Sequence, residues 1–157
     1  MTLALYRIDD RLIHGQVVVG WGQPLDCSFI VLVDDEVSSS DWEQDLYRMG
    51  VPPQIEVIFA SVDQAAKQFP NWEADARVGI LLVGDVDTAV ALATQVPQVK
   101  RFNVGGVHHR AGRKERLRFV YLTDEEADKL RALAARGVEV TAQDVPTARA
   151  VPLGEFT

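Results

Sequence analysis

Disulfides are excluded at once, because the 157-residue chain has a single cysteine, Cys27. It sits beside apolar residues and reads as a buried, structural thiol. No apolar run approaches the roughly 18 residues of a membrane span. The N-terminus has no basic-then-apolar leader and opens directly on a strand-like segment. Basic residues are outnumbered, 16 against 23 acidic ones, and the net charge of −7 argues against a general nucleic-acid binder. There is no internal repeat, low-complexity tract or P-loop. What remains is a cytoplasmic globular protein. Its hydrophobic content of 47% with 25% charged residues and its length fit one domain over residues 1–157.

Short apolar runs recur with helical segments between them. “LALYRI” (3–8), “FIVLV” (29–33), “IEVIFA” (55–60) and “VGILLV” (78–83) read as strands. “FNV” (102–104), “FVYL” (119–122) and “VEVT” (138–141) are weaker versions of the same signal. The stronger runs barely alternate, as in strands covered on both faces. Ser40-x-x-Glu43, Ser61-x-x-Gln64 and Thr123-x-x-Glu126 have capping-box spacing and mark helix starts. Trp42, Leu46 and Met49 share one helical face, as do Ala127, Leu130 and Ala134. Val86, Ala89, Val90 and Ala93 predict another helix, with Asp85 as its cap. The expected fold is α/β: an open, mainly parallel sheet of about seven strands with helices on both faces. The glycine-rich, basic segment “GGVHHRAGRKERLR” (105–118) reads as an exposed loop with a change in strand direction. The proline-broken tail “VPTARAVPLGEFT” should hold no long helix and lie over the surface.

In such a sheet, functional residues gather at the carboxyl ends of strands. The loop after the first strand carries Asp9, Asp10, Arg11 and His14, and Gly15 opens a helix containing Gln16. A phosphate at His14 would meet helix N–H donors and the positive end of the dipole. Arg11 adds a permanent cation. A neutral imidazole has one nitrogen free to attack phosphorus. Either Asp9 or Asp10 could fix the tautomer by accepting the other ring proton. The plainer alternative is that His14 caps a turn and the acids hold loop backbone.

“RIDDRLIHGQV” resembles the active-site loop of the IIB components of the sugar phosphotransferase system, in the mannose/fructose/sorbose family. The similarity continues through “VDDEVSSSDWEQDLYRMGVPP”, “FNVGGVHHRAGRK” and “TDEEADKLRALAARGVEV”, in order along most of the chain. The resemblance implies that His14 accepts a phosphoryl group from a IIA partner and passes it to a sugar moving through IIC and IID membrane subunits. It implies that Arg11 helps to hold the phosphate and that the backbone at Gly15 and Gln16 cradles it. It implies no metal and no cofactor, suggests a homodimer, and would seat the protein at the inner membrane face through its partner subunits. Gly84-Asp85 departs from the pattern, which carries a hydroxyl-bearing residue there, and the tail is shorter than expected.

Other residues invite weaker readings. Arg110, Arg113, Lys114 and Arg116 could attract a partner's acidic surface, or simply form a solvated basic loop. His108-His109 lacks the spaced donors of a metal site, and Asp34-Asp35-Glu36 reads as turn and helix-start residues rather than a Mg²⁺ site. The rival functions are a regulatory or phospho-ligand-binding module of the same fold, and a phosphate-ester hydrolase lacking an identified second acid or base.

Overall fold

Four of the apolar runs form one half of a single sheet. In the computed structural model, which describes residues 3–157, β1 spans Leu3–Ile8, β2 Phe29–Val33, β3 Glu56–Ala60 and β4 Gly79–Val83. Every residue of β2 and β4 is buried, so neither strand has a polar face to show in its sequence. On the other side of β1 lie β5 (Arg101–Val104) and β8 (Glu139–Ala142), with the short β9 (Val151–Pro152) at the edge. The strand order is β3-β2-β4-β1-β5-β8-β9. All pairs are parallel except β8–β9. This is the open, mainly parallel sheet that the sequence predicts.

The seventh strand is not the one expected. “FVYL” contributes β7 (Val120–Leu122), which pairs antiparallel with β6 (Lys114–Leu117) in a separate hairpin. The tail supplies β9 instead, and its Phe156 is buried, so the tail packs into the fold rather than merely covering it. Residues 105–118 change direction as predicted, but they are not one exposed loop. Gly105, Gly106 and Val107 are buried, and the amide of Val107 bonds the Phe119 carbonyl.

Helices cover both faces unequally. A π-helical segment, Gln16–Trp21, runs into α1 (Gly22–Leu25) and packs Val17, Val18 and Trp21 on one face, followed by α2 (Asp41–Met49). The opposite face carries α3 (Val62–Ala74), α4 (Val86–Gln95) and α5 (Asp124–Ala135), through residues such as Phe69, Leu92 and Leu130. The capping boxes at Ser61 and Thr123 are both formed. Asp85 caps α4 by accepting the Thr88 amide at 2.6 Å. Ser40 occupies the N-cap of α2 without a side-chain bond. The apolar stripe of α2 also faces the wrong way for a core. Trp42, Leu46 and Met49 are 67%, 55% and 82% exposed, and it is Tyr47 that packs toward the sheet. A spacing of i, i+4, i+7 places residues on one face but does not say which way that face points.

This topology creates a crevice. The chain leaves β1 toward α1 on one face of the sheet, whereas the chain leaving neighbouring β5 turns into the hairpin and reaches α5 on the other. Loops that diverge at adjacent strand ends leave room for a site between them. The ends of β1 and β5 carry Asp9 and Gly105.

Candidate active site

Alternation along β1 sets the floor of the site. Arg7 and Asp9 lie two residues apart on one face, and both are fully buried. Asp9 still belongs to the sheet ladder, donating its amide to Val83 O at 2.9 Å, and Asp10 donates to Gly106 O at 2.8 Å. The chain then turns sharply. Leu12 adopts φ 60°, a left-handed conformation costing roughly 1–2 kcal/mol in a non-glycine residue. Its side chain lies over Gly84, where an added Cβ would come within 2.6 Å of Leu12 Cδ2. A side chain at position 84 would therefore require the end of the Leu12 side chain to move. The turn delivers His14 to the start of the π-helical segment, with its carbonyl accepting the Val17 and Val18 amides.

Asp9 is the hub. Its Oδ1 accepts the Arg11 backbone amide at 3.2 Å and Arg11 Nε at 3.3 Å. Its Oδ2 accepts Arg11 NH2 at 3.4 Å, Arg7 NH2 at 3.5 Å and the Gly106 amide at 3.2 Å. Burial by itself would raise this carboxyl. The contacts with His14 and Arg11 and the charge of Arg7 outweigh it, and hold the group at about 2. Burial pulls the Arg7 guanidinium down to about 10, opposed by Asp9 and Asp144, so it stays charged at neutral pH.

The imidazole of His14 sits between this hub and the helix start, with a side chain only 17% exposed. Nδ1 accepts the Gln16 amide at 3.3 Å. A nitrogen that accepts an N–H must present its lone pair, so in the neutral ring the proton sits on Nε2. Nε2 is enclosed, 3.3 Å from Asp9 Oδ2. The angles there are not those of a full hydrogen bond, and the contact acts chiefly as charge against dipole. Asp9, not Asp10, is therefore the acid that contacts His14, and Nδ1 is the ring nitrogen that carries the lone pair. The Gln16 side chain accepts from Arg11 NH2 and donates to Asp144 Oδ1 at 3.1 Å, which fixes the guanidinium beside the ring.

Asp10 turns away to a different histidine. His108 Nδ1 lies 2.6 Å from Asp10 Oδ1, and the His108 amide donates to Oδ2 at 2.7 Å. A Cβ placed on Gly106 would meet Arg11 NH2 and His108 Cε1, each at 3.2 Å, and Asp9 Oδ1 at 3.3 Å. The β5 loop thus forms the second wall of the site, and His108 stands close to it.

The four basic residues read together from the sequence have separate fates. Arg113 is not a free charge: its side chain is 7% exposed, and its fork holds Glu126 at 3.0 and 2.9 Å. Glu126 is also the capping-box acid of α5, so this pair clamps the hairpin loop to the helix. Arg116 bonds Leu122 O and Asp124. Lys114 pairs with the same Asp124 but is well exposed, and Arg110 is exposed. The acids after β2 bind backbone, Asp34 accepting the Val37 amide and Asp35 the Val62 amide, each at 2.9 Å.

Arg7, Asp144 and the glycines of the β5 loop were not singled out in the sequence. One signal was available for Arg7. An arginine inside an apolar strand, two residues before an aspartate, places opposite charges on one buried face. Asp144 gave no comparable local sign.

The Asp9 environment predicts an acid sensitivity. A depressed carboxyl stabilises the fold above its unfolded value, and that contribution disappears as pH falls through the folded one. Between 3.8 and about 2, this amounts to roughly 2 kcal/mol. Thermal unfolding followed from about pH 5 to about pH 2 should show wild type losing stability more steeply than Asp9→Asn across this window. Parallel slopes would mean that Asp9 carries no such linkage.

Comparison with known proteins adds an independent line of observation. A family model described as “PTS system sorbose subfamily IIB component” matches residues 3–157. The N-acetylgalactosamine-specific phosphotransferase enzyme IIB component 1 of Escherichia coli K12 is 31% identical over 148 residues, 92% of each chain. The mannose-specific EIIAB component of the same strain is also 31% identical, over 94% of this chain but only 46% of its own length. Among solved structures, the IIB domain of the Klebsiella pneumoniae sorbose permease superposes with a TM-score of 0.88 at 28% identity, covering 99% and 96% of the two chains.

Proposed function

The chain belongs to the sorbose-subfamily IIB components of the phosphotransferase system, and from that membership we propose that His14 carries a phosphoryl group from a IIA partner to a sugar. The observation that best supports this reading is the orientation of the ring. Its Nε2 is backed by the buried Asp9 carboxylate, which leaves the lone pair on Nδ1, where it accepts the Gln16 amide until an incoming phosphorus takes that amide's place. The EIIAB name of the mannose relative supports a IIA protein as the donor. IIC and IID membrane subunits then present the sugar, which places this protein in the cytoplasm against the inner membrane face. Among the described residues no helix is long and apolar enough to cross a membrane.

The transfer follows from the charges. Nδ1 of neutral His14 attacks phosphorus in line as the donor's P–N bond breaks, and the donor imidazole leaves. The His14 ring keeps its Nε2 proton and becomes cationic, so the Asp9 carboxylate stabilises the charge that has formed. Arg11 lies beside the incoming phosphoryl oxygens, and the Gln16 amide at Nδ1 marks the line of approach. In the second half, a sugar hydroxyl oxygen attacks phosphorus and the Nδ1–P bond breaks. The hydroxyl proton passes to solvent and the ring returns to its neutral Nε2–H form. Catalysis is mainly positioning and charge neutralisation. The exposed Arg110 and Lys114 supply docking charge for the partners, and the chain works as a homodimer of IIB domains.

Incubation with a phosphorylated IIA protein, followed by mapping of acid-labile phosphate, tests this function. One phosphoryl group on His14 is expected, and no labelling would overturn it. Arg11→Lys sharpens the test. A planar fork can hold Asp9 and a phosphoryl oxygen together, whereas an ammonium is a point charge. Transfer in the lysine variant should slow roughly tenfold or more. A wild-type rate would reduce the role of Arg11 to charge alone.

A further inference from the structure

The most unusual side chain in this fold is a cation with no route to solvent. Arg7 is 0% exposed. Its NH1 donates to Asn103 Oδ1 at 2.5 Å and to Gln143 O at 2.8 Å, and NH2 donates to Asp144 O at 3.1 Å and Asp9 Oδ2 at 3.5 Å. Its guanidinium also stacks 4.9 Å from the centre of the Trp21 ring, whose indole N–H bonds Asp144 O at 3.2 Å. Room for it depends on Gly105, where a Cβ would lie 2.3 Å from NH2. Burying an arginine is costly, and a well-packed apolar residue commonly stabilises a fold as well or better. Packing alone therefore gives a poor reason for it.

We infer that Arg7 is a positioning residue for phosphoryl transfer, a buried guanidinium that fixes Asp9 behind His14 and ties the loop to Gln143–Asp144. It acts at a distance from phosphorus by two routes. The first is direct, because Arg7 and His14 approach the same oxygen, Asp9 Oδ2. Together with the Gly106 amide, Arg7 sets where that oxygen points, and the oxygen acts with the Gln16 amide at Nδ1 to keep the proton on Nε2. The second runs through Asp144, whose carbonyl Arg7 holds and whose carboxylate holds Gln16. Gln16 in turn holds Arg11. A residue near the C-terminus thus helps to aim the phosphate-binding arginine, and Arg7 anchors it.

This inference deepens the carrier function and rests on it, so its test needs a readout independent of any partner. The full chain, labelled with ¹⁵N-histidine, reports the His14 tautomer directly by NMR. Phosphoramidate, a small donor whose ammonia leaves as the Nδ1–P bond forms, reports reactivity without IIA. The charged groups facing Asp9 are Arg7 from β1, with Arg11 and His14 from the loop. Asp144 faces Arg7 from the C-terminal segment, and the Asp10–His108 pair stands alongside.

Wild type should show the Nε2–H tautomer. In Arg7→Gln the tautomers should mix, and labelling should fall on the order of tenfold at about pH 6. Arg7→Lys keeps the charge but cannot serve four acceptors, and its effects should be intermediate. If the glutamine variant does not unfold cooperatively, the lysine variant decides. A folded variant of either kind with the wild-type tautomer and the wild-type labelling rate would overturn the inference. A wild-type protein labelled by phosphoramidate but never by phosphorylated IIA would instead overturn the carrier function, leaving the Arg7 result intact.

Discussion

His14→Ala should take up no acid-labile phosphate from a phosphorylated IIA protein, whereas His108→Ala and His109→Ala should still be labelled. The chain has three histidines, and only one meets the chemical requirements. At His14 a buried carboxylate backs Nε2, the Gln16 amide meets Nδ1, and Arg11 is held on the same carboxylate. His109 has only an edge contact with Tyr121 at 5.7 Å. His108 is the stringent control because it stands close to the site. Its Nδ1 is taken by Asp10, and its side chain is 56% exposed, in water that screens new charge strongly. No helix start faces it. Alanine at position 14 removes a partly exposed loop side chain, so the fold should survive, as circular dichroism would show. Labelling of His14→Ala at the parental rate would mean that the phosphoryl group is carried elsewhere.

The second large effect is expected at Asp9. Asp9→Asn keeps the shape of the side chain but removes the charge that stabilises the cationic ring. It also offers an N–H₂ group to Nε2, which favours the tautomer with the lone pair on the wrong nitrogen. Phosphoryl transfer should fall by roughly a hundredfold to a thousandfold. The buried Arg7 and the half-exposed Arg11 lose their shared partner as well, so some stability is lost. The two effects separate by measuring the rate well below the unfolding temperature of the variant. Asp10→Asn is the matched control. It disturbs the His108 contacts and leaves the Arg7–Asp9–His14 line in place, so its rate should stay well above that of Asp9→Asn. Equal losses in the two variants would show that the acids act on His14 together, contrary to the geometry described above.

Much of the architecture was legible in the sequence, because it depends on local physics. Runs such as Phe29–Val33 and Gly79–Val83 can be buried only as strands covered on both faces. The pairs Ser61–Gln64 and Thr123–Glu126 satisfy their helix starts within four residues. The candidate site was legible for the same reason, since Arg11, His14 and Gly15 lie within a single turn of chain. Reading failed where a local pattern has two tertiary solutions. Trp42, Leu46 and Met49 form a stripe whether or not it faces the core. “FVYL” has strand composition in either sheet, and the tail's proline-broken sequence hides a short edge strand.

The sequence by itself determined the order of the main strands and helices, the loop that carries His14 and the residue types able to handle a phosphoryl group. Tertiary structure alone decided which acid serves which histidine. Asp9 and Asp10 are neighbours in the chain, yet one continues the buried face of β1 and the other bends toward the β5 loop. It also brought Asp144 to Gln16, 128 positions away, and buried Arg7 against Asp9. Those pairings follow from the order in which strands lie side by side. A parallel sheet with crossing connections sets that order through contacts between distant segments, and no local stretch of sequence records it.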